Sequence, residues 1–363
     1  MRIAIDGTIL TRSLTGVGIY TLRLVQELAR LPETEIFVMA QDELECGFDA
    51  KNVQVIIEPA MNFHFFIQRR IPGLIEKYNI DVLHGPNFYL PIKKNAPAVL
   101  TVHDLSAQLF PKQHSIKHRI SQKMLGPSLK RADRIIAVSR STAEDLAQLF
   151  PSTTSKIEVV YNGLEKRFTP CSRSETDEIL ARYNLPERFI LFVGTLEPRK
   201  NIRRLICAFS QITERFPTIK LIVAGGKGWL FDDIFELVRK KGLRDRIQFI
   251  GYVENEDLPA LYSAAEVFCY PSLYEGFGLP PLEAAACGTP VVTSNISSMP
   301  EVMDDAALFV DPLDIDSIYG AILTILEDKN LAASLTKKGL NRAKEFSWEE
   351  TAIKTLAIYR SLL

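Results

Sequence analysis

Nowhere in the 363 residues do about 18 apolar residues follow one another without interruption, so no segment reads as a membrane-spanning helix. The opening residues, MRIAIDGTIL, alternate like a strand and lack the long apolar core of a secretory signal. Cysteine is scarce: Cys46, Cys171, Cys207, Cys269 and Cys287 show neither CxxC spacing nor a mixed His/Cys ligand pattern. That argues against a zinc site and against a disulfide framework, and fits a reducing cytoplasm. With a net charge of −1 there is no overall pull toward nucleic acid. No internal repeat or low-complexity stretch occurs. The expectation is a cytoplasmic protein, soluble or peripheral at the inner face of a membrane.

What is present is a globular composition, 47% hydrophobic and 24% charged, in a chain longer than one hydrophobic core usually supports. Two domains follow. Charge is divided unevenly between them, since residues 1–170 hold 21 Lys+Arg against 17 Asp+Glu and the remainder 22 against 27. Between Leu105 and Ala132 no acid occurs, while Lys112, Lys117, Arg119, Lys123, Lys130 and Arg131 do. Phe63, Phe65, Phe66, Arg69 and Arg70 form a second basic and aromatic stretch. Solvated helix faces explain such runs, and so does a surface for an anionic membrane or an anionic acceptor.

Short β-branched runs alternate with longer helical patterns. RIAIDG, EIFVMA, VQVII, VLHG, AVLTVHD, RIIAVS and IEVVYNG make a first series, and FILFVGT, IKLIVAGG, RIQFIGYV, VFCYPS, PVVTS and ALFVDP a second. This alternation is the mark of doubly wound parallel sheets. Between the series, Pro170 and Pro186 bracket polar residues, so 169–187 reads as a linker and hinge. The domains are expected at 1–170 and 187–346, with a cleft between them as the usual place for a small ligand. Beyond Phe346, Ser347 with Glu350 three positions on predicts a capped helix over 347–363.

The stretch YEGFGLPPLEAAACGTPVV carries two carboxylates, Glu275 and Glu283, around two glycines and two prolines. Pro280 and Pro281 disfavour helical geometry in the residues before them, which predicts a helix start at Pro281 and an end at Gly288. Gly276 and Gly278 permit close backbone approach, and the helix start offers N–H groups to an anion. Carboxylates repel phosphate but accept hydrogen bonds from vicinal hydroxyls. A nucleotide sugar, with ribose, diphosphate and hexose in line, satisfies every group in the turn. The plainer reading makes Glu283 a helix-dipole partner and Glu275 a surface acid in a tight turn.

Glu275 and Glu283 with the residues between them closely resemble the EX7E element of retaining glycosyltransferases of family 4, whose fold is the GT-B pair of Rossmann-like domains. TGVGIYT, HGPN, TVHDL, AVSRST, VVYNG, FVGTLEPRKN, GYVENEDLPALYSAAEVFCYPS, SSMPEV and FSWEETA, in this order, extend the resemblance along nearly the whole chain. It implies that Glu283 holds the donor ribose. Glu275 would meet the transferred sugar, helped by backbone N–H groups of Gly276, Phe277, Gly278 and Leu279. The first domain would take the acceptor and the second the donor, with helix 347–363 crossing back onto the first.

Arg199 and Lys200 follow a buried strand, at the sheet edge where open α/β folds bind ligands, and two cations there can offset charge on a departing diphosphate. Lys200 matches the family lysine, whereas many members carry Arg where this chain has Thr195, so Arg199 would substitute from another position. His103 ends the run AVLTV and resembles the family's sugar-contacting histidine, while His84 is expected to shape a loop. His64, His114 and His118 suggest no chemistry. TGVGIY fails GxGxxG because position 21 is Thr, yet Gly16 and Gly18 can lie close to donor phosphate or acceptor. DID at 314–316 mimics a metal motif but more simply caps a helix, and no metal or other cofactor is expected.

The resemblance thus implies retaining transfer of a hexose from a nucleoside diphosphate sugar to a hydroxyl of a glycan or lipid-linked glycan, with mannose from GDP-mannose as the leaning. Two rivals are a GT-B-fold epimerase, which would convert donor without acceptor, and a regulator that binds donor but releases no nucleotide.

Overall fold

The computed structural model describes residues 1–11, 16–111, 124–226, 228 and 232–363. It divides into two compact units, Met1–Gly163 with Ser347–Leu363, and Leu164–Phe346. The basic and histidine positions Lys112, His114, Lys117, His118, Arg119 and Lys123 lie outside the described residues.

In the first unit seven strands run in parallel: β1 (Arg2–Asp6), β2 (Glu35–Ala40), β3 (Val53–Ile57), β4 (Val82–Gly85), β5 (Ala98–Val102), β6 (Arg134–Ala137) and β7 (Ile157–Val159). Their order is β3-β2-β1-β4-β5-β6-β7, so the winding reverses between β1 and β4. Alternation of side chains splits β1 between the two faces, Ile3 and Ile5 entering one core and Ala4 the other. The core on the Ile3 face also takes Tyr20 and Leu24 of helix Gly16–Leu28 together with Trp348, Ala352, Leu356 and Tyr359 of helix Trp348–Arg360. Ser347 caps that last helix, its Oγ accepting from Glu350 N at 3.1 Å. Gly163 is required where the chain returns, because a Cβ there would stand 2.2 Å from Trp348 N.

The second unit repeats the scheme with six parallel strands, β8 (Phe189–Val193), β9 (Lys220–Ala224), β10 (Ile247–Gly251), β11 (Val267–Tyr270), β12 (Val291–Ser294) and β13 (Ala307–Val310). The order β10-β9-β8-β11-β12-β13 places its reversal between β8 and β11. All thirteen strands fall on the β-branched runs of the sequence.

Three local readings change. The segment taken as a linker, 169–187, carries a helix, Arg173–Arg182, opened by a capping box at Ser172. Its end docks on Asp257, which accepts from Arg182 NH1 at 2.6 Å and Tyr183 OH at 2.7 Å. The helix after Gly278 begins at Leu279 rather than Pro281. First-turn residues owe no N–H to the helix, so both prolines fit there without losing a bond. Its other end meets the expectation, Gly288 adopting φ +84°. The amides of Gly288 and Thr289 return to Ala285 O and Ala284 O at 3.1 and 3.0 Å, a Schellman closure. The third change concerns His84, which lies fully buried within β4 and shapes no loop.

Candidate functional site

In a doubly wound sheet the loops leaving the two strands on either side of the reversal diverge and leave a crevice at the carboxyl edge. In the second unit these are the loop after β8, which carries Glu197, Arg199 and Lys200, and the loop after β11, which carries Ser272 to Gly278. Two sequence-distant motifs are thereby brought together.

Glu275 is the centre of the cluster and is only 7% exposed. Its Oε1 accepts from Lys200 Nζ at 2.8 Å, Ser272 Oγ at 2.6 Å and Tyr270 OH at 3.0 Å. Its Oε2 accepts from Arg199 NH1 at 2.8 Å. Arg199 also donates to Tyr274 O at 2.8 Å and, through NH2, to Glu197 Oε1 at 2.7 Å. Burial would raise the Glu275 carboxyl, but the charges of Arg199 and Lys200 outweigh it and hold the acid at about 2. Lys200 is pulled down by burial and by Arg199, with Glu275 acting against both.

The loops themselves are pinned from below. Asn201 adopts φ +60° and donates from Nδ2 to Pro271 O at 2.9 Å and Pro312 O at 2.6 Å. Leu273 N returns to Arg199 O at 2.8 Å. Ser298 Oγ donates to Glu275 O at 3.0 Å and Phe277 O at 2.8 Å, and Ser297 Oγ also donates to Glu275 O. Gly278 turns at φ +95°, and a Cβ there would meet Met299 Cε at 2.0 Å. It places Gly276 and Phe277 ahead of the helix and Leu279 at its first position.

Glu283, one turn into that helix, is held apart from Glu275: its Oε2 accepts from Tyr262 OH at 2.9 Å. Burial pushes it up to about 7, with Glu165 adding to the rise and Arg167 opposing it. The two acids flanking the turn therefore sit in opposite electrostatic settings, one fully ionised and one poised near neutrality. Asp314 behaves as a helix cap, accepting from Asp316 N at 2.9 Å. Among the described residues no group of three or more His, Cys, Asp or Glu side chains is arranged for a metal ion, and no helix is long and apolar enough to cross a membrane.

In the first unit His103 follows β5 and is half-buried. Its Nε2 lies 2.7 Å from Pro86 O, and a carbonyl can only accept, so Nε2 carries the proton and Nδ1 is left as the acceptor of the neutral ring. Burial lowers its pKa to about 4, so the ring is neutral at physiological pH. Gly16 and Gly18 fall in the first turn of helix Gly16–Leu28, Gly18 buried.

Sequence reasoning missed Glu197, Asn201, Tyr270, Ser272, Ser297 and Ser298. Glu197 and Asn201 stand inside the LEPRKN motif, and Tyr270 and Ser272 inside VFCYPS, where only tertiary contact gives them partners.

The first and second units match, over residues 14–168 and 175–342, the family models described as Glycosyltransferase Family 4 and Glycosyl transferases group 1. O-antigen chain mannosyltransferase B of Escherichia coli is 37% identical over 375 residues, covering 96% of this chain and 97% of that protein. The chain belongs to glycosyltransferase family 4. Among solved structures, sucrose-phosphate synthase from Thermosynechococcus elongatus superposes with a TM-score of 0.80 at 24% identity, covering 99% of this chain and 98% of that one. WaaG, a glycosyltransferase involved in lipopolysaccharide biosynthesis, gives 0.76 at 17% identity, with 99% coverage of each chain. The two parallel-sheet units are those of the GT-B fold, and the protein is a glycosyltransferase.

Proposed function

We propose that this family 4 glycosyltransferase moves a mannosyl group from a nucleoside diphosphate sugar, GDP-mannose by preference, to a hydroxyl of a glycan or lipid-linked glycan, with the anomeric configuration retained and without a metal ion. The observation that carries this reading is the convergence of Glu275, Arg199 and Lys200 at the point of reversal of the second sheet. The relationship to an O-antigen mannosyltransferase over nearly the full length supports mannose and a polysaccharide acceptor.

In this reading the diphosphate lies over Lys200 and Arg199, near the backbone N–H groups of Gly276 to Leu279. Those donors stabilise charge as the nucleotide leaves. Arg199 and Lys200 are now neutralised by Glu275 and Glu197, so a diphosphate must draw at least one cation away from its carboxylate. The carboxylate so released turns to the sugar hydroxyls. Glu283, when ionised, accepts from the ribose diol, and His103 Nδ1 accepts from a hydroxyl of the transferred hexose. Gly16 and Gly18 take part in binding phosphate or acceptor. The leaving phosphate takes the proton of the attacking hydroxyl on the same face, and Glu275 screens the positive character that builds on the sugar.

The deciding experiment incubates GDP-mannose with a panel of glycan and polyprenyl-linked acceptors and follows release of GDP and the stereochemistry of the product. Lys200→Ala should lose release by on the order of a hundredfold or more. Unchanged release by Lys200→Ala, or release from every nucleotide sugar except GDP-mannose, refutes the corresponding part of the proposal.

A lipid-linked acceptor also implies contact with an anionic bilayer, and the first unit has a surface suited to it. Met61 is 87% exposed, Ile92 63% and Phe65 37%. Arg70 stands over the Phe65 ring at 5.7 Å and pairs with Glu58 at 3.4 Å, Ile92 N donates to Gln68 Oε1 of the same segment at 2.7 Å, and Arg69 and Lys93, next to these residues in the chain, are exposed. Exposed apolar side chains with basic neighbours in the chain suit an anionic membrane interface. Co-sedimentation with phosphatidylglycerol vesicles should fall sharply in a Met61→Asn, Ile92→Asn double variant, and equal sedimentation of both proteins removes this contact.

A further inference from the structure

Two contacts from one helix converge on a single side chain. Tyr20 is 1% exposed, and Trp348, at the start of helix Trp348–Arg360, meets its ring at 5.9 Å and 65°. The Tyr20 hydroxyl lies 3.0 Å from Thr101 Oγ1, which lies 2.7 Å from His84 Nε2. His84 Nδ1 in turn lies 2.5 Å from the hydroxyl of Tyr359, near the end of that same helix. Thr101, His84 and Tyr359 are wholly buried, so water does not compete for any of these bonds.

Tyr20 also forms one wall of the His103 pocket. The two rings meet edge to face at 4.7 Å and 80°, while Phe88 stands against the histidine at 6.1 Å and 82°. With Nε2 fixed on Pro86 O, the remaining freedom of the imidazole is rotation and tilt, and these are limited by where the Tyr20 ring stands. That ring has its tilt set by a bond at its far end, through the hydroxyl. A tyrosine held at both ring and hydroxyl is a rigid wall, and one held at the ring alone can swing.

We propose that the C-terminal helix Trp348–Arg360 positions His103 through Tyr20, gripping the Tyr20 ring with Trp348 and its hydroxyl with the buried chain Tyr359, His84 and Thr101. These four are positioning residues that touch no substrate. The consequence for turnover rests on the reading of His103 as the contact to the transferred hexose, whereas the orientation of the ring does not.

The hydrogens of the chain make the proposal measurable. Burial lowers His84 to about 3, so its ring is neutral and carries one proton, and Tyr359, Thr101 and Tyr20 carry one each. Four hydrogens serve three bonds, so the His84 tautomer reports which way the donors run.

The test uses the full chain labelled with 15N-histidine, with the His103 signals assigned from His103→Gln. Wild type should show His103 as a single Nε2–H tautomer that titrates far below 6.5. In Thr101→Val and in Tyr20→Phe, which keeps the ring but loses its hydroxyl, the Nε2–H and Nδ1–H tautomers should mix as the hold on Pro86 O loosens. Turnover with GDP-mannose should fall on the order of tenfold at nearly constant donor KM. Thr101→Ser, which keeps the hydroxyl, should restore the wild-type spectrum. Should Tyr20→Phe and Tyr359→Phe lower the melting temperature yet leave the His103 tautomer as in wild type, the chain is mere packing and the proposal is wrong. If His103→Gln instead transfers hexose like wild type, the sugar-contact reading fails while the spectra still decide the positioning.

Discussion

Replacing Glu275 with glutamine removes one negative charge from a cluster that holds two cations and two carboxylates, and leaves Arg199 and Lys200 sharing Glu197 alone. The size of the effect follows from the acid's own equilibrium. Burial raises the carboxyl and the two cations bring it down to about 2, against an ordinary 4.5, and that difference corresponds to roughly 3 kcal/mol in favour of the ionised, folded form. Breaking a buried ion pair from one side costs about 3–5 kcal/mol in other proteins, which agrees. Because the folded pKa is depressed, this stability is fully present above about 4.5 and is lost as pH falls toward 2.

The second unit of Glu275→Gln should therefore be less stable than wild type by about 3 kcal/mol at pH 7, and the gap should close steadily below pH 4.5. Hydrogen exchange of peptides covering residues 189–201 and 267–286, followed through a urea series at several pH values, reads that gap locally and needs no two-state assumption for the whole chain. Other carboxylates titrate over the same range, but they do so in both proteins and cancel in the difference. A gap that stays constant from pH 7 to pH 3, or no gap at all, would show that the carboxylate is not the counter-ion the distances make it.

Glu283 has the opposite sign. Burial lifts it to about 7, so its ionised form costs stability as pH rises from 4.5 toward 7, and Glu283→Gln should exceed wild type in melting temperature at pH 8 while losing that advantage at pH 5. GDP-mannose affinity measured by calorimetry should weaken in wild type as pH falls below 7 and lose this dependence in the variant, if the ionised acid is what receives the ribose. Gly278→Ala combines a left-handed φ of +95° with a Cβ placed 2.0 Å from Met299 Cε, and a loss of about 1–2 kcal/mol from the backbone alone is expected in urea denaturation. Gly163→Ala drives a Cβ into the backbone of Trp348, so limited proteolysis should release the C-terminal helix far faster than in wild type.

How much of this was legible from the sequence depends on whether a signal is local. All thirteen strands could be read because a buried parallel strand is a short run of β-branched residues between turn residues, and the pattern needs no partner to be recognised. The expected helix start at Pro281 is two residues late because the steric bias on residues before proline is outweighed here, while the missing proline N–H groups cost nothing in a first turn. The 169–187 segment looked like a linker from its prolines and polar residues. Its stability comes from Asp257, 75 residues beyond Arg182, a partner that composition does not reveal. The motif acids were legible as acids, but not their state: Glu275 and Glu283 look alike in the sequence, and only the cations over one and the tyrosine beside the other separate them.

That separation changes what the turn between them means. A pair of equivalent carboxylates waiting for hydroxyls would repel an arriving diphosphate equally at both ends. Here the Glu275 end is a neutral assembly whose cations are already in place, desolvated and directed by Glu197, Tyr270 and Tyr274, while the Glu283 end can shed its charge near neutral pH. In the proposed reaction an incoming diphosphate meets little net charge until it pulls Lys200 or Arg199 from Glu275. In the proposed reaction the ion pairs act as a stored form of the phosphate site, since the cost of burying the cations is met on folding and exchanging one anion for another requires no further desolvation of either cation. Glu197 is then as important as the motif residues. Without it Glu275 would be the carboxylate left to balance Arg199, and in the proposed reaction it would be harder to release to the sugar.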